Sequence, residues 1–477
     1  MRRTLSVAAL LAFGITAVGA EQRGSDPFPP IEATRDIIAV GFAEFATIPD
    51  VDGGEAPRLM FMVDEPGTER FFVSTMRGMI YRISYDGKTV APYIDINAAK
   101  WAVGVQFAGP ERGLQSFAFH PQFAERGQPG YGKFYTYTDT TNTAAKADFV
   151  PDGRSRTHDT VLLEWNAKDP RSDAYDGEAP KEVFRAAHPY SNHNGGQIAF
   201  NPLAKPGADD YGLLYVGFAD GGSGGDPMNL AQNLSSAFGK ILRIDPLGSD
   251  SANKQYGVPA SNPFAKDNQP GTLGEIYAYG VRNPQRFNWD AKDGRLYLAD
   301  IGQSQVEEIS VVTPGANLGW NKWEGSHKYV KRQVDLDNPR SAAGLSWPVA
   351  EYDHKDPLLQ RSVAITGVTV YRDTNIPQLS NRIVFGDIPS GEIFYVNADQ
   401  PLNGGQGAIR RILLDDGGTQ KTLLQVMREK SASKGKDAPA RVDLRFGFGR
   451  QGQVFLLNKR DGVIRQLVAQ TLQSSAQ

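Results

Sequence analysis

The stretch Arg58–Ile83 reads RLMFMVDEPGTERFFVSTMRGMIYRI, three short apolar runs separated by turn chemistry. Each run is five or so residues long and rich in Phe, Val, Met and Ile, and each break carries Gly with Asp, Glu or Arg. That is the pattern of an antiparallel strand meander. The pattern returns along the chain. GLQSFAFHP at Gly113 leads to GKFYTYTDT at Gly132 and TVLLEW at Thr160. GGQIAFNP at Gly195 leads to GLLYVGFADGG at Gly212 and GKILRID at Gly239. PQRFNWDAKDGRLYLADIG at Pro284 is closed by EEISVV at Glu307. TGVTVYRDT at Thr366 precedes NRIVFGDIPSGEIFYV, and DLRFGFGRQGQVFLLNKRDGVIRQL begins at Asp443. One meander cannot bury both of its faces, whereas radial packing of several copies supplies a core and hides the edges. The expectation is an all-β, six-bladed β-propeller with long inter-blade loops.

Composition agrees with this. The chain has 477 residues, with 51 Gly and 30 Pro to serve many tight turns. A net charge of -3 with no basic stripe argues against a nucleic-acid partner. Cys is absent, which excludes disulfides, thiolate metal sites and a cysteine nucleophile. Arg2 and Arg3 precede an apolar run from Leu5 to Ile15, and Ala17-Val18-Gly19-Ala20 follows with small side chains. Residues 1–20 therefore read as a cleaved signal peptide, too short to span a bilayer, and the protein is expected in the periplasm or outside the cell. Residues 21–56 read as an N-terminal extension, 57–469 as the propeller and 470–477 as a disordered tail. Ser431–Ala440 (SASKGKDAPA) reads as a surface loop.

In a propeller, equivalent positions of every repeat converge around the central channel. The residues just ahead of the first strand of each copy are then neighbours in space: Glu111-Arg112, Ser191-Asn192-His193-Asn194, Val281-Arg282-Asn283 with Gln285, and Arg441, Asp443 and Arg445. One His, several Arg and several amides on one mouth suit an anionic, oxygen-rich ligand.

Long ordered motifs carry a resemblance over Pro57–Leu467. SNHNGGQIAF, DPMNLAQNLSSAFGKILRIDP, IYAYGVRNPQRF, ADIGQSQVEEI, NLGW and VFGDIPSGEIF closely resemble the glucose/sorbosone dehydrogenase family, whose active members are soluble quinoproteins. The resemblance implies an aldose dehydrogenase using pyrroloquinoline quinone (PQQ) and Ca2+. It would oxidise the anomeric carbon of a sugar to a lactone and pass electrons to an unknown acceptor. His193 matches the family's catalytic base, since a neutral imidazole can take the anomeric proton near neutral pH. Arg282 would stabilise the anion formed on hydride transfer. Glu111, Asn192, Arg282, Asn283, Gln285, Arg441 and Arg445 match or neighbour cofactor-binding positions. Gly302 and Gln303 match the turn whose carbonyls hold calcium. The chain departs from the family at Glu111, where a Gln is usual, at Asn192, where a carboxylate orients the base, and at Pro389, where a Lys is usual.

Several other residues invite functional readings. Glu307 and Glu308 suit either calcium or a solvated strand start, and Asp220 and Asp226 either a second calcium or turn chemistry. Trp320 and Trp323 read as packing. Two other functions share this frame: a non-enzymatic ligand-binding propeller, and a calcium-dependent lactonase-like hydrolase.

Overall fold

The computed structural model describes residues 27–151, 156–267, 269–359 and 362–470. The expected signal peptide and residues 471–477 of the tail lie outside the described residues.

The all-β expectation holds. Among the described residues the strands pair into three four-stranded antiparallel sheets, a small three-stranded sheet and one 13-stranded sheet, and the last divides at its parallel pairings into three more four-stranded meanders, six in all. Their innermost strands are Leu59–Asp64, Leu114–Phe119, Ile198–Phe200, Pro284–Trp289, Ile365–Tyr371 and Arg445–Phe448. In the first five meanders the chain steps outward from there, as in Arg70–Thr75, Met79–Ser84 and Val90–Asp95. The sixth is completed differently. Its outer strand is Ile38–Thr47, from the other end of the chain, antiparallel to Val463–Val468 with Phe42 opposite Leu467. Ile38–Thr47 also runs parallel to Arg410–Asp416 of the fifth meander. The repeat pattern predicts no strand here, because nothing local marks a pairing across almost the whole chain.

Between each pair of successive meanders lies an apolar core. Phe72 of the first packs with Leu114 and Phe117 of the second. Tyr137 and Leu162 of the second pack with Ile198 and Val216 of the third. Further cores join third to fourth, fourth to fifth and fifth to sixth. A last one sets Phe455 and Ile464 of the sixth against Leu59 and Phe71 of the first. Each sheet thus buries both faces, which is why strands such as Leu114–Phe119 and Ile365–Tyr371 are buried at every position instead of alternating.

Two insertions depart from the plain meander. The stretch after Val306–Val312 carries a small three-stranded sheet, Trp323–Glu324, His327–Val330 and Gln333–Asp335. The α-helix Leu423–Ser433 begins at a capping box in which Thr422 accepts from the Gln425 N–H and Gln425 reaches back to the Thr422 N–H. It takes the first three residues of the expected surface loop 431–440.

Candidate functional site

The six innermost strands all start at the same end of the molecule. A cavity of about 850 Å³ opens there. Its lining includes Glu111, His193, Arg282, Asn283, Gln285, Gly302, Gln303, Arg441 and Arg445. Of the residues matched above to catalysis, cofactor or calcium, Asn192 is missing, and Arg112, Ser191, Asn194 and Val281 of the expected mouth do not line the cavity either.

His193 holds a left-handed backbone, φ +56°, uncommon outside glycine. Two partners hold the turn: its N–H donates to Glu111 Oε2 at 2.7 Å, and His188 Nε2 lies 3.1 Å from its carbonyl oxygen. The Glu111 departure is therefore a support for the histidine turn. On the ring, Arg282 Nη2 lies 2.6 Å from Nε2 and Asp220 Oδ1 lies 2.6 Å from Nδ1. A guanidinium only donates, so Nε2 accepts and Nδ1 carries the proton toward Asp220. The contacts thus fix a neutral imidazole in one tautomer.

Asp220, and not the residue at position 192, is the carboxylate on the His193 ring, and the expected cofactor-binding residue Asn192 lies outside the cavity. Asn192 instead accepts the Ser223 N–H on its side-chain oxygen at 3.0 Å. The Asp220 carboxylate also accepts from Trp320 Nε1 at 2.8 Å and from the Gly222 N–H at 2.9 Å. Burial works to raise its pKa, but His193, Arg282 and these donors outweigh burial and hold it below the ordinary carboxylate value. Trp320, read as packing, is thus also a hydrogen-bond donor in this chain of contacts. Asp226 is taken up by the Leu230 and Ala231 N–H groups, each at 2.9 Å.

Arg282 donates through Nη1 to the Ile301 carbonyl at 2.7 Å and lies over the Trp320 ring, 5.7 Å from its centre. Asp300 grips the backbone on both sides of the motif, accepting the Arg282 N–H at 2.8 Å and the Asn283 N–H at 2.7 Å. Burial still pushes Asp300 up to about 7. Asn283 presents a buried side-chain oxygen with no hydrogen-bond partner, and Gln285 accepts from Thr366 Oγ1 at 2.8 Å.

The Gly302–Gln303 turn is shaped by a residue that sequence reading missed. Glu324 Oε1 accepts four successive N–H groups, from Gln303, Ser304, Gln305 and Val306, at 2.8–3.0 Å. A Cβ on Gly302 would lie 1.6 Å from the Val306 carbonyl oxygen, so no other residue fits that turn. With its N–H groups turned to Glu324, the turn has carbonyl oxygens left to offer a cation. Glu307 is committed elsewhere, to His354 Nε2 at 2.7 Å and the Ile365 N–H at 2.8 Å.

The cavity is strongly cationic. Arg58, Arg282, Arg441, Arg445, Lys459 and Arg460 line it against Glu55, Glu111 and Asp443. Arg441 and Arg460 both pair with Asp443. Among the described residues Arg445 and Lys459 are buried without a carboxylate of their own, and burial depresses both pKa values, that of Arg445 to about 10. Lys459 donates to the Pro110 carbonyl at 2.8 Å. It comes from the sixth meander to a cavity that Pro389 also lines.

Comparison with known proteins identifies the family. The model of the glucose/sorbosone dehydrogenase family matches residues 55–419. The HIPL1 protein of Arabidopsis thaliana is 29% identical over 393 residues, 73% of this chain and 54% of that protein. This chain thus spans about half the length of that relative. The human Hedgehog-interacting protein is 29% identical over 224 residues, 46% of this chain and 28% of that one. In fold, the PQQ-bound form of the aldose sugar dehydrogenase of Streptomyces coelicolor is similar with a TM-score of 0.55, at 20% identity, covering 89% of this chain and 96% of that one. With the family model spanning the meanders that supply His193, Arg282 and the Gly302 turn, the chain belongs to the glucose/sorbosone dehydrogenase family.

Proposed function

We propose that the protein is an exported, PQQ-dependent aldose dehydrogenase whose meanders close as a six-bladed β-propeller with long inter-blade loops. The observation that carries this reading is the junction of a tautomer-fixed His193 with Arg282 in a cavity where six cationic side chains face three carboxylates. PQQ is a planar tricarboxylate. The excess of positive charge fits its carboxylates, as do the uncompensated Arg445 and Lys459, and the unpartnered Asn283 oxygen is an acceptor for its ring N–H. Arg282, Asn283, Arg445 and Lys459 would hold it, and the carbonyls of Gly302 and Gln303 would hold Ca2+, a hard cation that takes oxygen ligands. When bound, the pair supplies a hydride acceptor polarised by a Lewis acid.

The chain's own residues do the rest. Arg282 occupies His193 Nε2, so the two must part before the ring can accept a proton. An anion in the cavity would draw the guanidinium away and free Nε2 for the anomeric hydroxyl of the sugar. Asp220 keeps Nδ1–H oriented and stabilises the imidazolium that forms. The test is reconstitution: PQQ and Ca2+ are added to the purified apo-protein and dye reduction is followed with a panel of aldoses. Sugar-dependent reduction, abolished by chelator, is the expected result. Absence of PQQ binding would move the reading to a ligand-binding propeller, the alternative favoured by the likeness to Hedgehog-interacting protein and by the carboxylate of Glu111 in the cavity.

A further inference from the structure

The innermost strands also end together, and a second cavity of about 850 Å³ lies at that end. It is lined by the later residues of the same strands, among them Phe61, Phe117, Val368 and Phe446. At its base is Arg286, only 4% exposed, from the strand whose preceding residue, Gln285, lines the first cavity. Among the described residues Arg286 has no ion pair. It donates through Nη1 to the Gln285 carbonyl at 2.6 Å and through Nη2 to the Met60 carbonyl at 3.0 Å. Its Nε is buried without a partner, and its guanidinium lies over the Phe61 ring, 4.8 Å from the centre. Burial and the nearby Arg445 both press against its charge. The Asp64 carboxylate on the same wall is taken by Tyr85 Oη at 2.6 Å and the Arg450 N–H at 2.8 Å. Gln197 supplies a second free donor: its side-chain oxygen accepts the Phe287 N–H at 3.1 Å, and its NH2 group has no acceptor among the described residues. A buried, uncompensated cation is costly, and Arg286 and Gln197 offer donors beside the apolar side chains of a cavity whose lining also carries Asp64, Glu125, Asp373, Lys205 and Arg450.

We propose that this second cavity binds a small organic anion, a carboxylate on an aromatic or apolar body, with the carboxylate held by Arg286 and Gln197 and the body against Phe61, Phe117 and Phe446. The site is independent of the proposed dehydrogenase chemistry. The test uses the full chain, with benzoate titrated by calorimetry beside benzyl alcohol, and 4-bromobenzoate located in crystals by bromine anomalous scattering. Benzoate is expected to bind at least about 10-fold more tightly than the alcohol, the effect of one charge-assisted contact. The bromine should lie between Phe61 and Phe446. Arg286→Met should abolish the preference for the anion, and Gln197→Leu should weaken benzoate several-fold should the Arg286 variant fail to fold. Arg441→Ala, in the first cavity, should leave this binding unchanged. Bromine only in the His193 cavity, equal binding of benzoate and alcohol, or binding at crystal concentration only would each overturn the proposal.

Discussion

At the scale of single residues, the site turns on His193 and Asp220. If His193 is the proton acceptor, His193→Gln should retain fold and cofactor binding but lose turnover by about 100- to 10,000-fold. Stopped-flow reduction of bound cofactor by sugar checks this. Arg282→Ala should differ by raising the cofactor dissociation constant as well as lowering turnover. Asp220 adds a pH signature. Its folded pKa lies below the ordinary carboxylate value, so its stabilising contribution is complete above about pH 4 and is lost as pH falls through the lower folded value. Asp220→Asn should therefore be destabilised near neutrality, with the gap to the parent narrowing in acid. Urea midpoints measured from pH 3 to 7 test it, and a gap constant across that range would refute it. Much of this site was legible in sequence, because the spacing of repeats brings Glu111, His193, Arg282 and Arg445 to one mouth. Asp220 was not assigned as the partner of His193, since it lies on a different strand end and Asp-Gly-Gly also makes ordinary turns. Glu324 and Lys459 were missed because their roles depend on how distant loops fold back.

At the scale of elements, two features act as structural pins. Lys240 is fully buried, and its ammonium donates to the carbonyls of Leu230, Ala231 and Phe238 at 2.7–3.0 Å. Burial pulls its pKa down to about 7, yet three acceptors call for the three N–H bonds of the charged form. Lys240→Met would remove three buried hydrogen bonds and leave the Phe238 carbonyl without a donor among the described residues, while Leu230 and Ala231 keep the Asn233 and Gly280 N–H groups. The expected cost is roughly 2–5 kcal/mol in a denaturant titration. The other pin is the strand Ile38–Thr47. Removing residues up to 47 would bare the edges of Val463–Val468 and Arg410–Asp416 together. The truncated protein should lose cooperative unfolding and self-associate, as light scattering would report, because uncovered edges recruit other strands. The repeating meanders could be read from sequence since each is local: three runs and two turns. This strand could not, since its partners lie at the opposite end of the chain and its own residues, IAVGFAEFAT, carry no register signal.

At the scale of the whole molecule, the six interfacial cores and the two axial cavities belong to one arrangement. Strands buried on both faces leave no solvent side on which polar residues can sit, so charge gathers where the strands begin and end. That is where His193 and Arg282 meet at one end and Arg286 lies at the other. Ligand binding at the first cavity should therefore stabilise every meander at once. PQQ with Ca2+ should raise the unfolding temperature as a single transition, by mass action. Two separated transitions would indicate that the meanders do not unfold as one body. Among the described residues no helix is long and apolar enough to cross a membrane.

The pairing of Ile38–Thr47 with Val463–Val468 also sets an order of events during biosynthesis. Ile38–Thr47 can find its antiparallel partner only after on the order of 400 further residues have been made, a separation whose entropic penalty is about 5 kcal/mol for a free chain. Earlier meanders can form while the nascent chain waits, but the sixth stays incomplete, and Ile38–Thr47 keeps an unprotected edge, until Val463–Val468 arrives. A circular permutant that joins residue 470 to residue 38 and opens within 247–273 would make those two strands consecutive. It should refold faster than the parent, since the slowest association would then be a hairpin.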